Sequence, residues 1–136
     1  MKRVFASLLL VVSSAQADIA VIVHPKNPLQ TPSREQVRDL FLGRTRVFPN
    51  GKFAIPIDQS SPLRAQFYQL LTARPIEQIN AYWARIIFTG QGSPPLQMPD
   101  DAAVLQTVRE NEGAIGYIRF IRLDKSVRML FKLSSP

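Results

Sequence analysis

Cysteine is absent from this chain, which rules out disulfides, thiolate nucleophiles and thiolate-bound metals. Histidine occurs once, at His24, which excludes a His-Glu-x-x-His zinc site, and no partner residue for catalysis or metal is visible beside it. A Gly-x-Ser-x-Gly elbow is missing as well. The adjacent carboxylates Asp100 and Asp101 remain, and helix capping accounts for them. An enzyme is therefore not expected, and neither a metal nor a cofactor is foreseen. Acidic residues are few, ten against seventeen basic ones, for a formal charge of +7. That charge is mostly arginine, twelve to five lysines, and it is scattered. Only Arg44-Thr45-Arg46 and the pair Arg119 and Arg122 are dense, whereas nucleic acid calls for a basic stripe with interleaved aromatics. Anionic solutes, lipid headgroups or an acidic partner suit such a charge better.

Long apolar runs are also lacking. Val4 to Val12 is too short to span a bilayer, and no later stretch approaches the ~20 residues required. Preceded by Lys2 and Arg3 and followed by Ala15-Gln16-Ala17, that run has the form of a secretory signal peptide over residues 1–17. Cleavage after Ala17 leaves 119 residues (136 less 17) and a net charge of about +5, once Lys2 and Arg3 are gone. Residues 18–136 suit a single domain with one modest core, addressed to the periplasm.

The chain is organised around Ile55 to Phe67. Phe53, Ile55 and Ile57 alternate with smaller residues, the pattern of a half-buried strand. Leu63, Phe67, Leu70 and Leu71 then follow helical spacing. Between them Ser61 is placed to cap the helix, with Pro62 in its first turn, where a missing N–H costs little. A strand running into a capped helix points free N–H groups and the positive end of the helix dipole at one spot, where an anion is welcome. Arg64 occupies the place where a capping box carries Glu or Gln. Two readings stay open: a structural cap with an Arg64–Asp58 pair, or an oxyanion seat. The seat would comprise Ser60, Ser61, Leu63 and Arg64, supported by Asp58 and Gln59.

Elsewhere, Ile19 to Val23 is an apolar, β-branched run, expected as a buried central strand. His24 closes it ahead of Pro25 and Pro28. A helix opens at Thr31 or Ser33, buries Val37, Leu40 and Phe41, and stops at Gly43. Pro49-Asn50-Gly51 marks a reversal. After Arg74-Pro75 a further helix carries an apolar stripe of Ile76, Ile79, Trp83, Ile86 and Ile87. Gln91 to Pro99 reads as a loop. Asp100 or Asp101 caps a helix with Val104, Leu105 and Val108 inside. Ala114 to Ile118 is expected as a buried strand, with Gly116 where another backbone comes close. Val127 to Leu133 is the last strand. Strands alternating with helices predict an α/β fold, a small mostly parallel or mixed sheet flanked by helices.

Four of these segments taken together resemble the periplasmic phosphate-binding proteins of the type II solute-binding fold. They are Gln36 to Arg44, Phe53 to Phe67, Ala81-Tyr82-Trp83 with Phe88-Thr89-Gly90, and Gly113 to Tyr117. The resemblance runs over about Ile19 to Ile118 and covers only one of that family's two lobes. It implies a phosphate- or oxyanion-binding protein related to the substrate-binding component of phosphate ABC transporters. The family's phosphate loop is rich in glycine, whereas the matching positions here read Gln59-Ser60-Ser61-Pro62, with one N–H removed by proline. The alternative is a cell-envelope interaction module that keeps the lobe without solute transport. It would engage an envelope protein, or a second copy as a homodimer, through the face that the other lobe would cover.

Overall fold

The computed structural model describes residues 7 and 17–135, so the expected signal segment, apart from Ser7 and Ala17, lies outside the described residues. Among the described residues no helix is long and apolar enough to cross a membrane. The chain runs β1 (Ile19–Val23), α1 (Arg34–Phe41), β2 (Ile55–Gln59), α2 (Leu63–Thr72), α3 (Ile76–Thr89), β3 (Leu96–Met98), α4 (Asp101–Glu110), β4 (Ala114–Arg119) and β5 (Arg128–Leu133). The strands form one mixed sheet in the order β3-β2-β4-β1-β5. β2 is parallel to both β3 and β4, whereas β1 is antiparallel to β4 and β5. This is the α/β architecture that alternating strands and helices predict.

Period-2 alternation divides the core between the two faces of the sheet. Ile19, Val21 and Val23 join α1, α2 and α3 through Phe41, Phe67 and Trp83. Ala20 and Ile22 join α4 through Val104, Leu105 and Val108. All five β1 side chains have no exposed surface. Burying each Ile or Val contributes about 1.5–3 kcal/mol, so a strand covered on both faces must be apolar throughout. Ser33 caps α1 in a reciprocal capping box with Gln36, and Gly43 follows its end at φ +69°, a conformation that costs glycine little.

Several positions depart from the expected pattern. Phe53 and Ile55 are exposed, because β2 enters the sheet only at Ile55 and helical cover begins at Ile57. Ile87 faces solvent, leaving Ile79 and Trp83 as the buried residues of α3. The expected loop 91–99 contains β3, too short and too exposed to show alternation. Gly116 is crowded by side chains rather than backbone: a Cβ there would lie 2.8 Å from Val104 Cγ1 and 3.4 Å from Val108 Cγ2. Gly116→Ala is therefore expected to lower stability by about 1–3 kcal/mol through overpacking. Thermal melting would register it, and an unchanged midpoint would mean that α4 yields freely.

Candidate functional site

The segment from Asp58 to Arg64 carries the end of β2, a tight turn and the start of α2. Asp58 is 1% exposed, and an ionised carboxylate so deep must be fully hydrogen-bonded. Oδ1 accepts from the Gln59 N–H at 2.8 Å and from the Tyr117 hydroxyl. Oδ2 accepts from the Tyr68 hydroxyl at 2.9 Å and from Arg64 Nε at 3.2 Å. Burial pushes both tyrosine hydroxyls well above their ordinary pKa. The negative charge of Asp58 and its hydrogen bonds to the neutral phenols push the same way. Phe67 locks the group from the side, stacked on Tyr117 at 3.6 Å between ring centroids.

Arg64 belongs to this buried group. Besides Asp58, its Nη1 donates to Asn80 Oδ1 at 2.7 Å, and its guanidinium lies over the Tyr68 ring at 5.3 Å. Asp58 thus offsets the cost of a cation in the first turn of α2. Pro62, not Ser61, is the N-cap of α2, with no side-chain cap bond: the Ser61 Oγ accepts from the Leu63 N–H at 3.3 Å and donates to Gln59 Oε1 at 2.7 Å. The Arg64 N–H turns back to the Ser61 carbonyl at 3.1 Å. Ser60 is exposed, and its N–H bonds to the Met98 carbonyl.

Gln59 is also buried, and its amide joins three elements. Nε2 donates to the Tyr117 carbonyl at 2.8 Å and to Asp101 Oδ1 at 2.9 Å. Asp101 in turn accepts from Arg119 Nε at 2.8 Å. Of the two neighbouring carboxylates, Asp100 caps α4 by accepting from the Ala103 N–H, while Asp101 is a buried link rather than a cap. His24 has a local role, accepting the Lys26 N–H on Nδ1.

A hollow of about 470 Å³ opens beyond Gln59, lined by Ser61, Leu63, Gln66, Asp100, Asp101 and Arg119 among others. It lies past the carboxyl ends of β2, β3 and β4, all three parallel, the place where open α/β sheets receive ligands. Among the expected residues, Gln59, Ser61 and Leu63 line it. Arg64 lines a separate hollow, Asp58 is beneath the surface, and Ser60 lines neither. The cation of this hollow is Arg119, whose Nη1 and Nη2 have no partner among the described residues. In the sequence Arg119 stands out only as part of a basic pair with Arg122. Its place beside Asp101 and Gln59 depends on strand order, which no local pattern encodes. Among the described residues no cluster of three or more His, Cys, Asp or Glu side chains is arranged to hold a metal.

No family model matches the chain, and no curated protein matches it in sequence. Solved structures do share its fold. One, from Clostridium perfringens, is assigned as a phosphate ABC transporter substrate-binding protein and carries bound phosphate. It matches 85% of this chain and 45% of its own at 22% identity and a TM-score of 0.65. An ABC-type phosphate transport receptor from Vibrio cholerae matches 85% of this chain and 46% of its own at 20% identity, also with a TM-score of 0.65. PstS from Borrelia burgdorferi matches 89% and 49% at 14% identity and 0.61. At these identities the likeness is one of fold. The chain spans about half the length of those structures and has the architecture of one lobe.

Proposed function

We propose that this chain is a phosphate-binding-like lobe that holds an oxyanion weakly in the hollow at the start of α2, in the periplasm. The observation that carries the reading is the position of the hollow, past the carboxyl ends of three parallel strands, in a fold shared with phosphate-binding proteins. The first turn of α2 supplies its dipole, Ser60 borders the turn, and Arg119 supplies the charge-assisted donors, while the Ser61 hydroxyl serves the anion only by giving up its bond to Gln59 Oε1. Arg64 acts one step back, holding Asp58 and so the turn. Asp100 and Asp101 on the same wall repel a fully ionised anion, but a carboxylate accepts a hydrogen bond from a protonated one. Hydrogen phosphate is therefore favoured over sulfate. Water reaches the open side, so each hydrogen bond adds little net free energy and affinity is low. A solute-binding role, not catalysis, is the reading in keeping with the transport proteins that share the fold.

The test is thermal melting in phosphate, sulfate and chloride at matched ionic strength, since any salt screens a cationic chain. For a dissociation constant near 1 mM, 10 mM phosphate adds about 1.4 kcal/mol, a rise of roughly 5 °C for a domain of this size. Arg119→Gln is expected to lose most of that rise and Ser61→Ala a smaller part, since its hydroxyl exchanges one hydrogen bond for another, and sulfate is expected to produce little of it. Arg64→Gln lowers the starting midpoint and keeps the rise. Equal shifts in all three salts would remove the oxyanion seat.

A further inference from the structure

We propose that the outer side of β3, with the hollows beside it, is a groove that takes an extended acidic peptide segment of another protein. Two hollows of about 370 and 510 Å³ share Trp83, Pro94, Pro95 and Leu96 as walls and form one elongated depression. No residue is shared with the hollow at the start of α2, so this inference does not rest on the oxyanion reading. β3 is the outermost strand, paired with β2 on one side only. A free strand edge beside apolar surface is a template for pairing unless something covers it. Apolar side chains flank this one: Phe53 is 79%, Leu96 57% and Ile87 56% exposed.

Two polar groups here lack partners. Arg46 lines the first hollow, is exposed, and makes no ion pair among the described residues. Trp83, a wall of both hollows, is 5% exposed, and its indole N–H has no acceptor among the described residues. A buried donor without an acceptor is costly, and a bound carbonyl or carboxylate reached by a small ring shift would recover that cost. Among the described residues no Asp or Glu lines either hollow. The matching occupant brings apolar side chains for the pockets, carboxylate for Arg46 and a backbone for the edge of β3. An extended peptide with acidic and large apolar residues has all three, by strand addition. A second copy of this chain would set Arg46 against a surface of the same sign, since the formal charge is +7.

The experiment is selection of a displayed library of random dodecapeptides on the immobilised protein in phosphate-free buffer, followed by titration of synthetic copies. Trp83 is the only tryptophan, so its emission reports the groove directly. Enriched sequences are expected to combine Asp or Glu with large apolar residues and to shift that emission. Arg46→Glu is expected to weaken them at least tenfold and to favour basic sequences instead. Leu96→Lys should weaken them similarly, and Arg46, in an exposed segment, keeps the test alive if that variant fails to fold. The proposal is overturned if no acidic sequence is enriched, or if binding ignores both substitutions. A concentration-dependent dimer in sedimentation, dissolved by Leu96→Lys, would overturn it in favour of self-association.

Discussion

Asp58→Ala is expected to lower stability by about 3–5 kcal/mol, a large share of the roughly 5–15 kcal/mol that holds a domain of this kind folded. The wild-type carboxylate is the common acceptor of the Tyr68 and Tyr117 hydroxyls, the Gln59 N–H and Arg64 Nε. Truncation leaves two buried phenols and a largely buried guanidinium without that acceptor, and it opens a void beneath the turn. Asp58→Asn keeps one acceptor oxygen, yet it removes the charge and turns an N–H toward groups that themselves donate. Its expected cost is about 1.5–3 kcal/mol. Urea unfolding followed by far-ultraviolet circular dichroism gives both numbers. An Asp58→Ala midpoint near that of wild type would show that the cluster relaxes onto water.

The second large effect is alkaline. In the unfolded chain Tyr68 and Tyr117 ionise near pH 10, whereas both are held neutral well above that pH in the fold. A folded-state pKa raised above the unfolded one gives stability that is complete below pH 10 and is lost as pH rises. Above pH 10 the unfolded state binds fewer protons, so each tyrosine removes about 1.4 kcal/mol per pH unit. Stability should be level from pH 8 to 9, and the two residues together should have removed about 3 kcal/mol by pH 11. Tyr117→Phe should halve that slope, whatever it does to stability at neutral pH. Urea midpoints across the range measure the effect. A flat profile to pH 11 would mean that the hydroxyls reach solvent in the folded state.

Both effects concern residues whose importance the sequence conveys unevenly. The Arg64–Asp58 pair was legible, because a cation in the first turn of a helix requires a nearby anion and Asp58 lies a short turn away. The two tyrosines were not. Tyr68 reads as one more residue on the flank of α2, and Tyr117 as a strand aromatic. Nothing local indicates that both hydroxyls meet at one carboxylate. Asp101 misled for a related reason: a carboxylate at a helix start reads as a cap, and only its neighbour Asp100 is one. Phe53, Ile55 and Ile87 misled in the opposite direction, since apolar periodicity shows which residues can be buried and not how far the covering helices reach.

Short-range physics is legible in the chain alone. The β-branched run of β1, the capping box of α1, the stop at Gly43, Pro75 ahead of α3 and the apolar stripe of α4 each act within a few residues of their cause. Alternation of such elements was enough for an α/β class. Strand order comes only from packing across the whole sheet, and with it which side chains meet at the carboxyl ends of β2, β3 and β4. That order brings Arg119 and Asp101 to Gln59 and Ser61, and it leaves β3 at an open edge beside Trp83. Strand pairing is a choice among distant partners, made by the summed burial of two sheet faces. No spacing within a window of residues can report a sum taken over the whole core.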